Sequence, residues 1–413
     1  MILKTRPKLT ILIDQLAALA FILYFSMPLL KRLLRPISFG QTNFVAIAIT
    51  YLPVFLLIFL GRKKRCWMEF IVLLSSIGFF FLFTYFLHPE YEYYYVRERY
   101  GVWDYVLRPD NGIYAFLFIR LVDDPKKILK YLLICSWLMF IHLGISFFEY
   151  IARGYWITVR EGTTVHSSYN LTFGYDLLLF EIIFLYFALK YKKLIHWIMA
   201  IAGGIMMLAG GSRGPFLDIL IFLVVYISVS IQRSRKKLFI TSSLIALLLV
   251  LYFGYTPILN VISTFLSRMG LSSRLIKMII AGTASDDNGR AEIWARAIQM
   301  IKEKPWGYGA MGSREGIYDL IYVGHPHNVF LEILIDYGVI FGAGIILTGF
   351  VAFFRMLKMP DIGEWTALIL IFIGASCQLL LSGTYWYRPW LWVLLAIGIS
   401  VYHFRRRERV ING

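Results

Sequence analysis

Long apolar stretches recur along almost the whole chain, and they constrain its fold more than any other feature. A membrane-spanning helix needs about 20 mainly apolar residues, and twelve stretches are long or apolar enough to be candidates. They lie near residues 9–30, 43–60, 68–87, 111–122, 128–149, 170–189, 194–209, 215–231, 238–255, 327–354, 364–382 and 389–404. The chain is 59% hydrophobic, against about 45–50% for soluble domains. The pattern predicts an all-α integral membrane protein with about 12 transmembrane helices in one domain, residues 1–413.

Basic residues are concentrated in alternate loops between the predicted spans. More than half of the 42 Lys and Arg residues lie in the segments KTRPK, GRKKR, DDPKK, KYKK, QRSRKK, RMLK and RRRER. Because cytoplasmic loops of membrane proteins are enriched in Lys and Arg, this alternation predicts a multi-pass protein with both termini in the cytoplasm. It also explains the formal net charge of +17 without nucleic-acid binding. The alternation requires the short stretch 111–122, which contains Arg120, to count as a span.

The longest predicted extracytoplasmic loop, residues 256–326, lies between spans 9 and 10. Within it, residues 288–305 have the pattern of an amphipathic helix. The predicted apolar face consists of Ile293, Trp294, Ala297, Ile298 and Ile301. Arg290 falls in the first turn, where the helix dipole disfavours a cation, so a nearby anion would compensate it.

A second arginine, Arg213, stands in the short turn GGSRGP at the predicted outer boundary. Flanking glycines let a ligand approach the backbone closely, and the amides at the start of the next helix favour anions. The alternative is an interfacial arginine that reaches lipid headgroups.

The segment HPHN, which begins at His325, stands at the outer end of the tenth predicted span. His327 is a candidate general base, because an unperturbed histidine has a pKa of about 6.5, and His325 and Asn328 are candidate supporting residues. The alternative is a structural histidine at the interface.

Two carboxylates follow one turn apart in the same span, Glu332 and Asp336. Charged groups are costly within a membrane, so we expect them to pair with an arginine such as Arg213 or Arg388. Glu332 and Arg388 are further candidate supporting residues.

Tyrosines are dense in the predicted outer loop 88–110, which includes Tyr91, Tyr93, Tyr94 and Tyr95. Aromatic rings at the outer face suit sugar stacking, so Tyr94, Tyr95 and Trp294 are candidate glycan contacts. An interfacial aromatic belt explains the tyrosines equally well.

Motifs for several other chemistries are absent from the sequence. It contains no GxxxxGK[ST] phosphate loop and no HExxH motif, and its three cysteines have no metal-ligand spacing. Asp286 and Asp287 are a weak candidate for a divalent ion. We therefore expect neither a metal nor a nucleotide cofactor. Fixed arginines and a histidine beside aromatic rings suit a sugar joined to a pyrophosphate.

The order GGSRGP, NGRAEIWARAIQMIKEKPWGYGAMG and HPHNVFLEILIDYGVIFG resembles the superfamily of O-antigen ligases and Wzy-type polysaccharide polymerases. The resemblance covers about residues 210–342 in detail. It implies a GT-C-like helical membrane fold in a bacterial cytoplasmic (inner) membrane, with an extracytoplasmic active site. It also implies a glycan donor carried on undecaprenyl pyrophosphate, with Arg213 and Arg290 binding the pyrophosphate and His327 activating the acceptor. Partners implied are membrane lipids, and a flippase and chain-length regulator of the same pathway.

Two enzymatic functions and one transport function fit this resemblance. A ligase-like motif has His followed by Asn, Ser or Gln, then nine residues and Gly. His327, Asn328 and Gly338 keep that spacing, but Phe341 occupies the next expected small or aromatic place, with Gly342 after it. The stretch before HPHN is closer to polymerases, which we favour. A flippase would show inverted repeats and interrupted midplane helices, which the sequence lacks.

Overall fold

The computed structural model describes residues 7–160, 163–167, 170–210, 214–230, 289–358 and 363–412, with the single residues 242, 264 and 268. The described chain is nearly all α-helical. Its α-helices of eight or more residues are α1 (Pro7–Phe25), α2 (Met27–Leu34), α3 (Thr42–Phe59), α4 (Lys64–Leu87), α5 (Ala115–Val122), α6 (Pro125–Arg153), α7 (Leu171–Tyr191), α8 (Leu194–Gly210), α9 (Gly214–Ser230), α10 (Arg290–Glu303), α11 (Val329–Lys358), α12 (Glu364–Ser376) and α13 (Trp390–Asn412).

Five of the described helices are long and apolar enough to cross a membrane, and a sixth crossing is possible through the bent pair α1 and α2. The bend of 80° falls at Ser26, immediately before Met27 and Pro28 at the start of α2. Proline fits the first turn of a new helix but not the interior of an old one, so the chain turns there. The predicted span 238–255 lies outside the described residues. The total of twelve and the GT-C-like fold stay predictions.

The predicted span 111–122 is not a single helix long enough to cross a bilayer. It contains α5, whose eight residues extend about 12 Å against a hydrocarbon core of roughly 30 Å. All eight are buried, as suits a short segment sheltered by other helices. The chain before it lies near the end of α4, where Tyr95 meets Phe81, and Arg120 pairs with Glu69 near the start of α4. The chain between Tyr95 and Arg120, which includes α5, therefore returns from the end of α4 to its start.

A two-stranded hairpin interrupts the otherwise helical chain between α6 and α7. Trp156–Arg160 pairs antiparallel with Thr163–Ser167, with Trp156 opposite Ser167. The predicted spans 128–149 and 170–189 leave this segment between them as a loop. The strands WITVR and TTVHS are rich in the β-branched residues that favour a pleated conformation, and that signal was available.

The described helices and loops belong to two compact units. One consists of Met1–Leu132, Asn288–Ile369 and Leu379–Gly413, and the other of Leu133–Asp287 and Leu370–Gln378. In the second unit, α7 packs against α8, and the chain reverses between them at Lys192, which adopts a left-handed conformation. The first unit contains α10, the start of α11 and the HPHN segment, so the described candidate site lies within it.

Candidate active site

The HPHN segment leads into α11, and its asparagine begins the helix. The side-chain oxygen of Asn328 accepts hydrogen bonds from the backbone N–H groups of Phe330 (3.0 Å) and Leu331 (3.2 Å). This N-cap satisfies donors that a helix start leaves without intrahelical partners. Asn328 was predicted to support the site. Its contacts fix the residue at which α11 begins after the histidine segment.

The helix α11 is broken at Gly338, eleven residues after His327. Gly338 has φ 75° and ψ 170°, a backbone conformation that side chains disfavour. The break frees backbone groups, which bond to the segment 305–309. The bonds are Tyr308 N to Ile335 O (2.8 Å), Gly309 N to Asp336 O (3.0 Å) and Val339 N to Pro305 O (2.8 Å). The spacing from histidine to glycine therefore reflects a broken helix joined to the KPWGYG segment.

The amphipathic helix predicted over 288–305 is α10, and its apolar face packs against the start of α11. Its buried residues are Ile293, Ala297 and Met300, and Trp294 and Ile301 are partly buried beside them. Ile298 was assigned to this face wrongly, because 45% of it is exposed. Met300 takes its place, since the helix meets α11 along a slightly rotated stripe.

Trp294 ties α10 to the histidine segment, and its predicted glycan contact stays a prediction. Its indole Nε1 donates to the backbone oxygen of Pro326 at 3.0 Å. Arg290 lies one helical turn earlier, at the first residue of α10. Because residues four apart share a face of a helix, this hydrogen bond places Arg290 on the side of α10 that meets HPHN.

The charge of Arg290 acts on His327, although 36 residues separate them in the chain. The positive charge of Arg290, together with burial, lowers the pKa of His327 from 6.5 to about 4, and burial is the larger cause. Among the described residues, Arg290 has no ion-pair partner. The structure thus places a neutral imidazole beside a cation.

His325 is buried and lies against His327. Their rings meet edge to face with centroids 4.3 Å apart. Burial lowers the pKa of His325 well below its usual value, and the positive charges of Arg314 and Arg388 act in the same direction. Arg388, a predicted supporting residue, lies over the ring of Tyr387 at 5.5 Å from its centroid. Both histidines are therefore neutral near pH 7.

The carboxylates of Glu332 and Asp336 do not ion-pair with Arg388 in the described chain. Glu332 accepts from the hydroxyl of Thr384 (2.5 Å), and Asp336 accepts from Tyr385 Oη (2.6 Å) and Trp386 Nε1 (3.1 Å). The expected pairing with Arg388 is therefore wrong, and the observed partners are neutral donors. The segment after α12 packs directly on the buried face of α11, and its neutral donors therefore bond to these two side chains.

Arg314 is a central residue that sequence reasoning missed. It is 2% exposed, and its guanidinium donates to the backbone oxygens of Tyr94 (3.1 Å) and Tyr100. Burial lowers its pKa to about 10. The available signal was an arginine in the glycine-rich stretch GAMGSREG, before the histidines, where a buried cation can bind backbone carbonyls. Arg314 fastens the tyrosine-rich loop to the GAMGSREG stretch.

The predicted glycan-contacting tyrosines have structural contacts of their own. Tyr95 is partly buried and its hydroxyl donates to Ala310 O at 2.8 Å, while the ring of Tyr94 lies 5.8 Å from that of Tyr318. Tyr91 is buried and donates to Glu315 at 2.5 Å. Tyr93, by contrast, is 59% exposed. A glycan contact by Tyr94 or Tyr95 stays a prediction.

Several predicted residues fall outside the described chain. Arg213, Asp286 and Asp287 are among them, as is most of the loop before Gly289. Within the described parts of the chain, no group of three or more His, Cys, Asp or Glu side chains is arranged to hold a metal ion.

Comparison with known proteins gives one match, which includes Arg290 and His327. Residues 198–347 match the O-antigen ligase family model. The matched stretch is less than half of the chain, and it supports the superfamily resemblance without separating ligases from polymerases. It also agrees with a multi-pass membrane protein of the glycosyltransferase-like kind. No curated protein and no solved structure matches the chain.

Proposed function

We propose that this protein is a polysaccharide polymerase. It joins oligosaccharide repeat units carried on undecaprenyl pyrophosphate into a surface polysaccharide at the outer face of a bacterial cytoplasmic membrane. The observation that carries the proposal is the electrostatic effect of Arg290 on the buried His327. Neither side chain has an anionic partner among the described residues. A cation with hydrogen-bond donors beside it, next to a membrane-spanning helix, suits a pyrophosphate that arrives on a lipid.

The reaction transfers a glycan from the lipid carrier to a hydroxyl of another glycan. In this proposal Arg290, with Arg213, stabilises the charge that builds on the departing pyrophosphate. Fixed guanidinium groups can supply this neutralisation, so the proposal requires no metal or nucleotide cofactor. The sequence-based prediction makes His327 the general base.

Ligation is the second candidate function. It is favoured by the description of the matched family and by the spacing of His327, Asn328 and Gly338. A ligase would move the finished glycan to lipid A core, to a protein or to another wall polymer. A polysaccharide flippase is the alternative from another class.

Deletion of the native gene separates these functions. The deletion strain receives wild type, His327→Ala or Arg290→Ala at matched membrane levels, and lipid-linked glycans are analysed by gel and mass spectrometry. We expect single repeat units on the carrier whenever the activity is missing. Long chains left on the carrier would identify a ligase instead. Units inaccessible from the outer face would indicate a flippase.

A further inference from the structure

The ring of His327 is held in one orientation by a backbone group. The N–H of Gly383 points at Nδ1 of His327, with the two nitrogens 3.3 Å apart. A backbone N–H only donates, so Nδ1 provides the lone pair. In a neutral imidazole one nitrogen accepts and the other carries the proton, which places the proton of His327 on Nε2.

The other ring nitrogen has no partner in the described chain. Nε2 of His327 makes no hydrogen bond to a described residue, and neither Glu332 nor Asp336 bonds to it. The nearby charge is Arg290, which is positive. The positive charge of Arg290 acts on this ring, and a cation together with an unpaired N–H donor favours an anion.

The backbone also holds the ring in place. His327 has φ 53°, in the left-handed region, which a non-glycine residue seldom adopts. Such a conformation costs of order 1–3 kcal/mol and persists where the surroundings enforce it. Trp294 enforces it from α10 through Pro326 O, and Gly383 from the segment after α12. The same contacts set the position of Arg290 relative to His327.

We infer that His327 acts as a neutral hydrogen-bond donor, through Nε2–H, to the pyrophosphate of the lipid-linked substrate beside Arg290, and not as the base. This inference rests on the proposed function. A base at Nε2 would need the opposite tautomer, and a base at Nδ1 would first have to lose the Gly383 hydrogen bond. The lowered pKa of His327 is consistent, because it makes the ring a poor proton acceptor near pH 7.

The transfer balances without a protein base. The acceptor oxygen forms a bond to the anomeric carbon, and the bond from that carbon to the phosphate oxygen breaks. Its electron pair leaves with the pyrophosphate, whose growing negative charge is bound by Nε2–H and the guanidinium. The hydroxyl proton passes from the acceptor oxygen to an oxygen of the departing pyrophosphate. Donors that strengthen as charge develops lower the barrier in this way.

Amide substitutions distinguish a donor from a base. In His327→Gln the amide nitrogen is three bonds from Cβ, as Nε2 is, and it donates but takes no proton near pH 7. In His327→Asn the amide nitrogen is only two bonds away, at the level of Nδ1. We expect His327→Gln to polymerise within about tenfold of wild type, and His327→Asn and His327→Ala to lose about 10²-fold or more, the effect of removing one such donor.

Equal loss in all three variants would overturn the donor role, and so would equal retention in all three. Each variant is compared at equal amounts of monodisperse protein, so that misfolding is recognised. Gln tolerates a positive φ less well than Asn, so any strain from the substitution acts against the expected order.

A binding measurement keeps the test independent of the proposed polymerisation. Thermal stabilisation of the purified protein by farnesyl diphosphate is measured, with farnesyl monophosphate as the comparison ligand. A ligand that binds the folded state raises its apparent stability. Wild type and His327→Gln should be stabilised more by the diphosphate, and His327→Ala and Arg290→Ala should lose the difference.

The same diphosphate preference in all variants would overturn the inference. If polymerisation fails in the deletion strain while this binding pattern holds, the function was misassigned and the donor role stands.

Discussion

Two clusters of polar side chains near opposite ends of α4 handle charge in different ways. Near its start, Arg120 is 1% exposed and bonds to Glu69 (2.8 Å), Asp123 and Ser400 (2.6 Å). This cation is satisfied by two carboxylates and a hydroxyl. At the candidate active site, Arg290 has no ion-pair partner among the described residues, and Glu332 and Asp336 accept from neutral donors.

The comparison distinguishes charges that stabilise the fold from charges that are available to bind a ligand. Buried ion pairs lose several kcal/mol when one partner is removed, because the remaining charge is uncompensated. A cation without an anionic partner in the protein contributes little to the free energy of unfolding. It contributes to the free energy of binding when an anionic ligand is present. Substitutions at the first cluster should therefore affect stability, and those at the second should affect activity.

The largest stability effect is expected from Arg120→Ala. It leaves Glu69 and Asp123 without their shared cation, which costs about 3–5 kcal/mol for a buried pair. The yield of monodisperse protein in detergent and its apparent Tm report the loss, with Arg120→Lys expected to lose less. A wild-type Tm for Arg120→Ala would contradict a structural role for this cluster.

Arg290→Ala should show the converse behaviour. We expect polymerisation to fall about 10²–10³-fold, the range for removing an electrostatic stabiliser of the transition state, while the apparent Tm changes little. Lys302→Ala, an exposed cation near the end of the same helix, is the matched control and should leave activity unchanged. A large fall in Tm for Arg290→Ala would show that its charge is structural after all.

Gly338→Ala tests whether the broken helix holds the site together. A Cβ at Gly338 would lie 2.4 Å from the backbone oxygen of Trp306, and the φ of 75° is strained for alanine. We expect a loss of about 1–3 kcal/mol in stability, the usual cost of such a conformation. Gly344→Ala, in the same helix with open space around it, should be tolerated. Equal Tm values for the two variants would exclude this reasoning.

Acid should destabilise the site through its neutral histidines. The unfolded chain protonates His327 near pH 6.5 and the folded protein only near pH 4. The unfolded state therefore binds more protons in that window, and this contribution to stability is lost as pH falls from about 6.5 towards 4. His327→Gln lacks it. Its apparent Tm should consequently fall less than that of wild type between pH 7 and pH 5, and parallel falls would contradict the lowered pKa.

The smallest effect is expected from the helix cap. Asn328→Ala removes the acceptor for two backbone N–H groups and should cost about 1 kcal/mol. Asn328→Asp keeps an acceptor oxygen and should retain wild-type stability. If Asn328→Ala loses activity with no loss of Tm, the asparagine acts on substrate and not only on α11.

Local patterns predicted several parts of the site before the structure. Hydrophobic spacing predicted the period of α10 with Arg290 in its first turn, and the predicted span 215–231 begins one residue after the start of α9. The shift from Ile298 to Met300 could not be predicted, because it depends on the angle at which α10 meets α11. Glu332 and Asp336 were expected to pair with an arginine such as Arg388, whereas they accept from Thr384, Tyr385 and Trp386. The sequence alone could not distinguish these nearby partners.

By itself, the sequence determined the membrane class, the helical periodicity and the residue types available for binding an anion, because these depend on local composition and spacing. Only the tertiary structure decided that Arg290 lies beside His327, that Gly383 fixes the histidine ring, and that Arg314 binds the tyrosine-rich loop. Such contacts join residues far apart in sequence, and packing and hydrogen-bond geometry select them among many arrangements that the same local pattern allows.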